Sequence, residues 1–201
     1  MSPKGRPRAF DRDAALIRAM ELFWAKGYEG ASMAMLTEAM GINSPSLYAC
    51  FGSKAELFKE AVSVYRSRVG HDIWNALPEA KTAREGFHNF LKETAISYTR
   101  PDQPQGCLIV LGALHGLSED DPIGELLRDN RRENVTKLKT RLEQGVADGE
   151  LNAATDCQNI AEFYATVQHG MSITARDGAT LDGLMRTADA AMAAWDGLTA
   201  A

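Results

Sequence analysis

Histidine, cysteine and paired carboxylates are where hydrolytic, redox or metal chemistry would begin, and in this chain they do not assemble. His71, His88, His115 and His169 fall on separate predicted segments, with no HExxH, GxSxG or glycine-rich phosphate loop. Cys50, Cys107 and Cys157 are odd in number and far apart, with no C-x-x-C, so neither a disulfide framework nor a zinc knuckle is expected. The sequence implies no enzyme, no metal site and no cofactor.

A different constellation assembles over residues 33–52. Leu36 and Met40 precede Gly41, and Ile42, Leu47 and Cys50 follow it, at offsets that lock two short helices across a tight turn. Such a pair projects its second helix toward a duplex major groove, presenting Ser44, Pro45, Ser46, Tyr48 and Ala49. Ahead of it, Lys4-Gly5-Arg6-Pro7-Arg8 forms a slim basic arm. Arg6 and Arg8 suit phosphate or a narrow A·T minor groove, although a solvated basic tail is the plainer reading.

The elements that must position these residues are all helical. Seven prolines, at 3, 7, 45, 78, 101, 104 and 122, leave long uninterrupted stretches, and no alternating β-branched pattern occurs. Helices are predicted over 11–26, closed by Gly27, over 33–40 between Ser32 and Gly41, and over 45–50 with Ser44 as N-cap before Pro45. Ser53-Lys54-Ala55-Glu56 has the form of a capping box and opens a long helix to residue 77, stopped by Pro78. Further helices are expected over 81–99, 106–117, 122–148, 156–176 and 180–196.

Read through, Ala19-Met-Glu-Leu-Phe-Trp-Ala-Lys-Gly27-Tyr-Glu-Gly-Ala-Ser32 and Gly41-Ile-Asn-Ser-Pro-Ser-Leu-Tyr48-Ala-Cys-Phe51-Gly-Ser-Lys54-Ala-Glu-Leu57 resemble the DNA-binding domain of the tetracycline-repressor (TetR/AcrR) family. The resemblance covers roughly residues 10–62 and includes Lys-Gly-Tyr, Leu-Tyr-x-x-Phe and Ser-Lys-x-x-Leu. It implies a flexible arm over 1–9, a helix-turn-helix domain over 10–52, and an all-α ligand-binding and dimerisation domain over 53–201. Tyr48, Lys54 and Ser32 would then face the DNA backbone. Thr37 stands where the family usually has alanine. The recognition helix has no Arg or Lys, which leaves base reading to serine hydroxyls, Asn43 and apolar contacts.

Two stripes on the 156–176 helix bear on the remainder. Ile160, Phe163, Tyr164, Val167 and Met171 are expected to face inward, while Ala161, Ala165, Gln168 and Ser172 make a flatter stripe for a partner helix. With Ala188, Met192 and Trp195 of the last helix, the small stripe is expected to form a homodimer interface. The resemblance licenses an effector cavity lined by Trp74, Phe87, Phe90, Tyr98, Cys107, Leu111, His115, Phe163, Tyr164 and His169. The partners implied are an operator duplex, an unidentified small molecule and a second copy of the chain. Two alternatives stay open: a thiol-redox response at Cys50, and a helical interaction module with no DNA role.

The net charge of −5, from 22 basic and 27 acidic groups, argues against a polyanion partner only until it is divided. Residues 1–60 sum to +1 and residues 61–201 to −6, so charge position has to provide the attraction. An apolar content of 45% excludes a disordered chain. Asp11-Arg12-Asp13 after the basic arm is no signal peptide, and the longest near-apolar run, 107–114, falls far short of the roughly 20 residues that span a membrane. A cytoplasmic protein is expected.

Overall fold

A computed structural model describes residues 10–113 and 121–200; the predicted arm with Arg6 and Arg8, and His115, lie outside the described residues. Among the described residues every regular element is a helix. Asp11 opens α1 (Arg12–Gly30) by accepting from the amides of Asp13 and Ala14. The helix kinks at Gly27, whose φ of 72° and ψ of 171° suit glycine. The kink lets Tyr28 N–H donate to Gly112 O at 2.7 Å, and a Cβ on Gly27 would sit 3.2 Å from that same oxygen. This glycine therefore does more than end a helix: it brings α1 against a distant loop.

Helix α2 (Met33–Met40) runs from Ser32, whose hydroxyl accepts from Met35 N–H, to Gly41 at φ 68° and ψ 32°, matching the expectation. Helix α3 (Ser44–Phe51) starts one residue earlier than predicted. Asn43, extended at φ −87° and ψ 162°, is the N-cap, and its side-chain oxygen accepts from Ser46 N–H at 2.8 Å. Ser44 is the first helical residue. Phe51 is buried with Leu47 in the core shared with the first helix, whereas Cys50, expected on that inner face, is exposed.

Ser53 caps α4 (Lys54–Arg68) as predicted. The long helix expected to residue 77 is two helices, because the chain breaks at Val69 before α5 (Gly70–Glu79). A β-branched residue followed by glycine is a poor helix interior. Pro78 lies inside the last turn of α5 and does not mark its end. Then come α6 (Ala83–Tyr98), α7 (Leu108–Leu111), α8 (Pro122–Ala147), α9 (Cys157–Arg176), α10 (Leu181–Ala193) and α11 (Trp195–Thr199). Of the helix predicted over 106–117, only α7 is helical within the described residues, and the last predicted helix is interrupted at Ala194. Helices α5 and α8 pack against α6 and α9, with α10 against α6, while α1 packs against α4.

On α9 the stripe expected to face inward is buried at Ile160, Tyr164 and Met171, but the stripe expected to meet a partner helix is buried as well. Ala161, Ala165, Gln168 and Ser172 are buried within the subunit together with Ile160, Tyr164 and Met171, as are Ala188 and Trp195; Met192 is half-buried. Phe163 is instead 36% exposed. The reason is an aromatic cluster in which Tyr164 meets Phe87 at 4.9 Å and Trp195 at 5.9 Å, fixing the rotation of the helix. These small residues therefore let α9 approach its own subunit closely and are not free for a partner.

One arginine ties the first helix to the bundle. Arg176, at the end of α9, donates to Trp24 O at 2.9 Å, Ala25 O at 3.1 Å and Gln105 O at 3.0 Å. Trp24 adds a bond from its indole N–H to Gly106 O at 3.1 Å and an edge contact with Tyr65 at 4.9 Å.

Candidate nucleic-acid interface and effector cavity

Leu36 and Met40 of α2 and Leu47 and Phe51 of α3 are buried in one core with Leu16, Met20 and Phe23 of α1, α3 packing on α2 and α4 and leaving one face in solvent. Ser44, Pro45, Tyr48 and Ala49 are exposed there, Tyr48 at 51%, and Ser46 is half-buried. Asn43 is at the same end of the helix with its oxygen committed to the cap. The Ser32 hydroxyl accepts from Met35 N–H, leaving its own proton free to donate. The extra hydroxyl at Thr37 is satisfied internally by Met33 O at 3.0 Å and Ala34 O at 2.9 Å, so it leaves the packing of the two helices intact.

Lys54, in the first turn of α4, holds its ammonium 4.4 Å from the Tyr28 ring centroid. Partial burial lowers its pKa and the nearby Glu29 opposes that shift. An N-terminal lysine opposes the helix dipole, and the aromatic face compensates without occupying its N–H donors. Arg12 went unnoticed in the sequence as more than arm charge. Its guanidinium reaches both carboxylate oxygens of Glu60 at 2.9 Å, lies 4.4 Å from the Phe51 ring centroid and donates to Cys50 O at 3.4 Å. It staples α1 to α3 and α4, a role that spacing cannot reveal because the partners are 38 and 48 residues away.

Behind α4 lies a cavity of about 480 Å³, within the range of small-molecule sites. Of the predicted lining, Trp74, Tyr98 and Cys107 are brought together there. Phe87 and Tyr164 belong to the aromatic cluster with Trp195, Phe90 packs behind Trp74 at 5.1 Å, and Phe163 faces outward. Leu111 sits instead in a shallow depression beside Gly27 and Tyr28. The sequence reading took no lining residue from α8, which contributes Asn130 and Asn134 one turn apart, and it placed Gln168 on the outside; all three line the cavity. Polar residues spaced i, i+4 on an otherwise amphipathic helix were the available signal.

Burial first, and the neighbouring Cys107 second, push the Tyr65 and Tyr98 phenols well above their ordinary pKa. Both hydroxyls therefore stay protonated at any physiological pH. His169 directly follows Gln168, the cavity's lining residue on α9, and has a buried Nε2 without a partner. Burial first, and Arg131 second, lower its pKa below 6.5. A depressed folded-state value contributes stability that is complete above the unfolded pKa and is lost as pH falls through the folded one. We expect His169→Gln to flatten the acid limb of a Tm-versus-pH profile below about pH 6.5, and an unaltered limb would count against this assignment. No group of three or more metal-ligating side chains occurs among the described residues, and no helix there is long and apolar enough to cross a membrane.

Residues 16–61 match the family described as bacterial regulatory proteins, tetR family. The chain is 35% identical to the HTH-type transcriptional repressor ComR of Escherichia coli K12, over 96% of this chain and 92% of that one. It is 33% identical to the repressor BdcR of the same organism, over 92% and 88%. Among solved structures, a cysteine-substituted form of the TetR family regulator CifR, in complex with a 26-base-pair operator duplex, is 47% identical. That match covers 94% of this chain and 100% of that one with a TM-score of 0.91. Helix-turn-helix geometry, sequence and overall fold converge: the chain belongs to the TetR family of transcriptional regulators, DNA-binding proteins and not enzymes.

Proposed function

We propose that the protein is a repressor that binds a two-fold operator as a homodimer and is released by a small molecule held in the central cavity. Residues 10–52 would supply the DNA contacts, and the rest of the chain the ligand and dimer contacts. One observation supports this most directly. Helix α4 meets the recognition helix at one end and lines the cavity with Val62, Ser63, Tyr65 and Arg66 at the other. A ligand that favours a different α4 position shifts both recognition helices of a dimer, and only differential affinity for the two positions can do so. The repressors ComR and BdcR, and the operator-bound CifR, point the same way.

The dimer face is the outer side of α9 and the start of α10. Phe163, Ile173 and Leu181 are exposed there at 36%, 46% and 45%. Gly170 lies between the first two, and a Cβ on it would meet nothing in its own subunit. A mid-helix glycine costs about 1 kcal/mol relative to alanine, and close approach of a second helix accounts for it. The exposure of Cys50 leaves its thiol accessible, but a reactive thiolate needs a cation beside it, and the ammonium of Lys54, four residues on, lies over Tyr28, so the ligand reading is preferred.

Fluorescence anisotropy on the DNA upstream of the protein's own gene, across a salt series, tests the proposal. Salt-steep, specific binding by a dimer supports it; weak binding without sequence preference removes it. Lys54→Gln is expected to lower affinity about 10-fold whatever the sequence, and to reduce the salt slope by about 0.9 per subunit. An unchanged slope would show that the ammonium serves only the Tyr28 ring.

A further inference from the structure

We propose that the cavity selects an uncharged ligand bearing a hydrogen-bond donor, an alcohol, phenol or amide N–H, which donates to the side-chain oxygen of Asn130. This rests on the cavity being the effector site and names the chemistry it takes.

Asn130 is only 6% exposed. Its Nδ2 donates to Leu126 O at 2.7 Å, one turn back along α8, which settles which way the amide faces. The oxygen at the other end is buried and has no partner. Nearly all buried acceptors in folded proteins are satisfied, so an orphan in a cavity wall marks a place where a donor belongs. No side chain of the neighbouring wall, Asn134 one turn away included, donates to this oxygen. Tyr65 and Tyr98 are buried beside Cys107, and the Gln168 amide donates to Thr94 Oγ1 at 3.3 Å.

Charge narrows the class further. Among the described residues the cavity wall contains no carboxylate, so a cationic ligand would find nothing there to pair with. Its three cations are already engaged: Lys59 with Glu56 at 2.8 Å, Arg66 with Glu133, and Lys137 with Glu133 at 3.1 Å and with the Trp74 ring. A carboxylate ligand would find no uncommitted lysine or arginine among the described lining residues and would present oxygen to the oxygen of Asn130. An apolar ligand fits against Ile73, Trp74, Ile109 and Leu126 but leaves the acceptor unpaired. A site built to receive a donor rejects the analogue that lacks one, because its own buried group then loses its partner.

Three probes of one size separate these cases: 2-phenylethanol, its methyl ether, and phenylacetate. Each is titrated by calorimetry and thermal shift against the full-length protein, Asn130→Leu and Trp74→Ala. The alcohol is expected to bind at least about 10-fold more tightly than either analogue. In Asn130→Leu, which has lost a buried orphan and is expected to have a higher Tm, alcohol and ether should bind equally. Equal binding of alcohol and ether by the wild type, or preference for phenylacetate, overturns the donor inference and leaves the cavity reading standing. If no probe binds, or if Trp74→Ala leaves every affinity unchanged, the cavity reading fails and this inference with it. The wild-type ratio decides the matter even if a variant does not fold.

Discussion

Ile173→Glu is expected to yield a folded monomer whose affinity for the operator is lower by about 100-fold or more. Ile173 is nearly half exposed on the outer face of α9, beside Phe163 and Gly170 and near Leu181. Within the subunit the substitution touches little, so the helical circular dichroism signal should be retained. Across a two-fold axis it places two carboxylates in an apolar contact, where an unpaired charge is strongly disfavoured. Two linked DNA-binding units gain 10²- to 10⁴-fold over one by effective concentration, and monomerisation forfeits that gain. Light scattering gives the mass and anisotropy gives the affinity. A dimeric variant with wild-type affinity would place the interface elsewhere, whereas Ala165→Glu, buried inside the subunit, is expected to unfold the bundle.

The second large effect is expected at Arg176. Its guanidinium fills three carbonyl acceptors, two at the end of the first helix and one in the loop before α7. Arg176→Met keeps the aliphatic packing and removes all three bonds. Bonds from a charged donor contribute about 1.5–3 kcal/mol each where they are buried. Arg176 is partly exposed and its bonds share one side chain, so a total near 3 kcal/mol is the reasonable magnitude. That corresponds to a Tm lower by about 6–12 °C for a chain of this size. Calorimetry should also show the single unfolding transition splitting in two, because the polar ties between the units would then rest on the Arg12–Glu60 pair and the bonds from Tyr28 to Gly112 and Trp24 to Gly106. A single transition shifted by less than about 2 °C would falsify the idea that this side chain couples them.

The contrast between the two ends of the chain explains what was legible in sequence. The helix-turn-helix is specified by local chemistry: Ser32 and Ser53 as caps, Gly41 in the left-handed region, Pro45 in the first turn. Such signals act within four residues, so they can be read from the string. Even there Ser44 reads as the cap in place of Asn43, and on the face that Leu47 anchors the i+3 residue Cys50 is expected inside, where the i+4 residue Phe51 is buried. In α9 both stripes are apolar enough to be buried, and the choice is made by Phe87 and Trp195, distant in sequence. The cavity suffered likewise. Its aromatic candidates were drawn to one another, and the amides of α8 that line it were invisible to a search for apolar walls. Arg12 and Arg176 act across 48 and 152 residues, where no spacing rule reaches.

The N-cap of the recognition helix carries a consequence for the genome the protein surveys. Because the Asn43 oxygen is spent on Ser46 N–H and α3 has no Arg or Lys, the helix lacks the bidentate contacts that separate one base pair from another by about 1–3 kcal/mol. Hydroxyls and methyl-sized contacts discriminate less at each position, so the information that defines a target must be spread thinly over many base pairs. Operators can then drift at single positions with small loss, and the regulator's set of genes can grow or shrink by gradual mutation. A protein that reads softly at each letter holds a regulon with blurred edges.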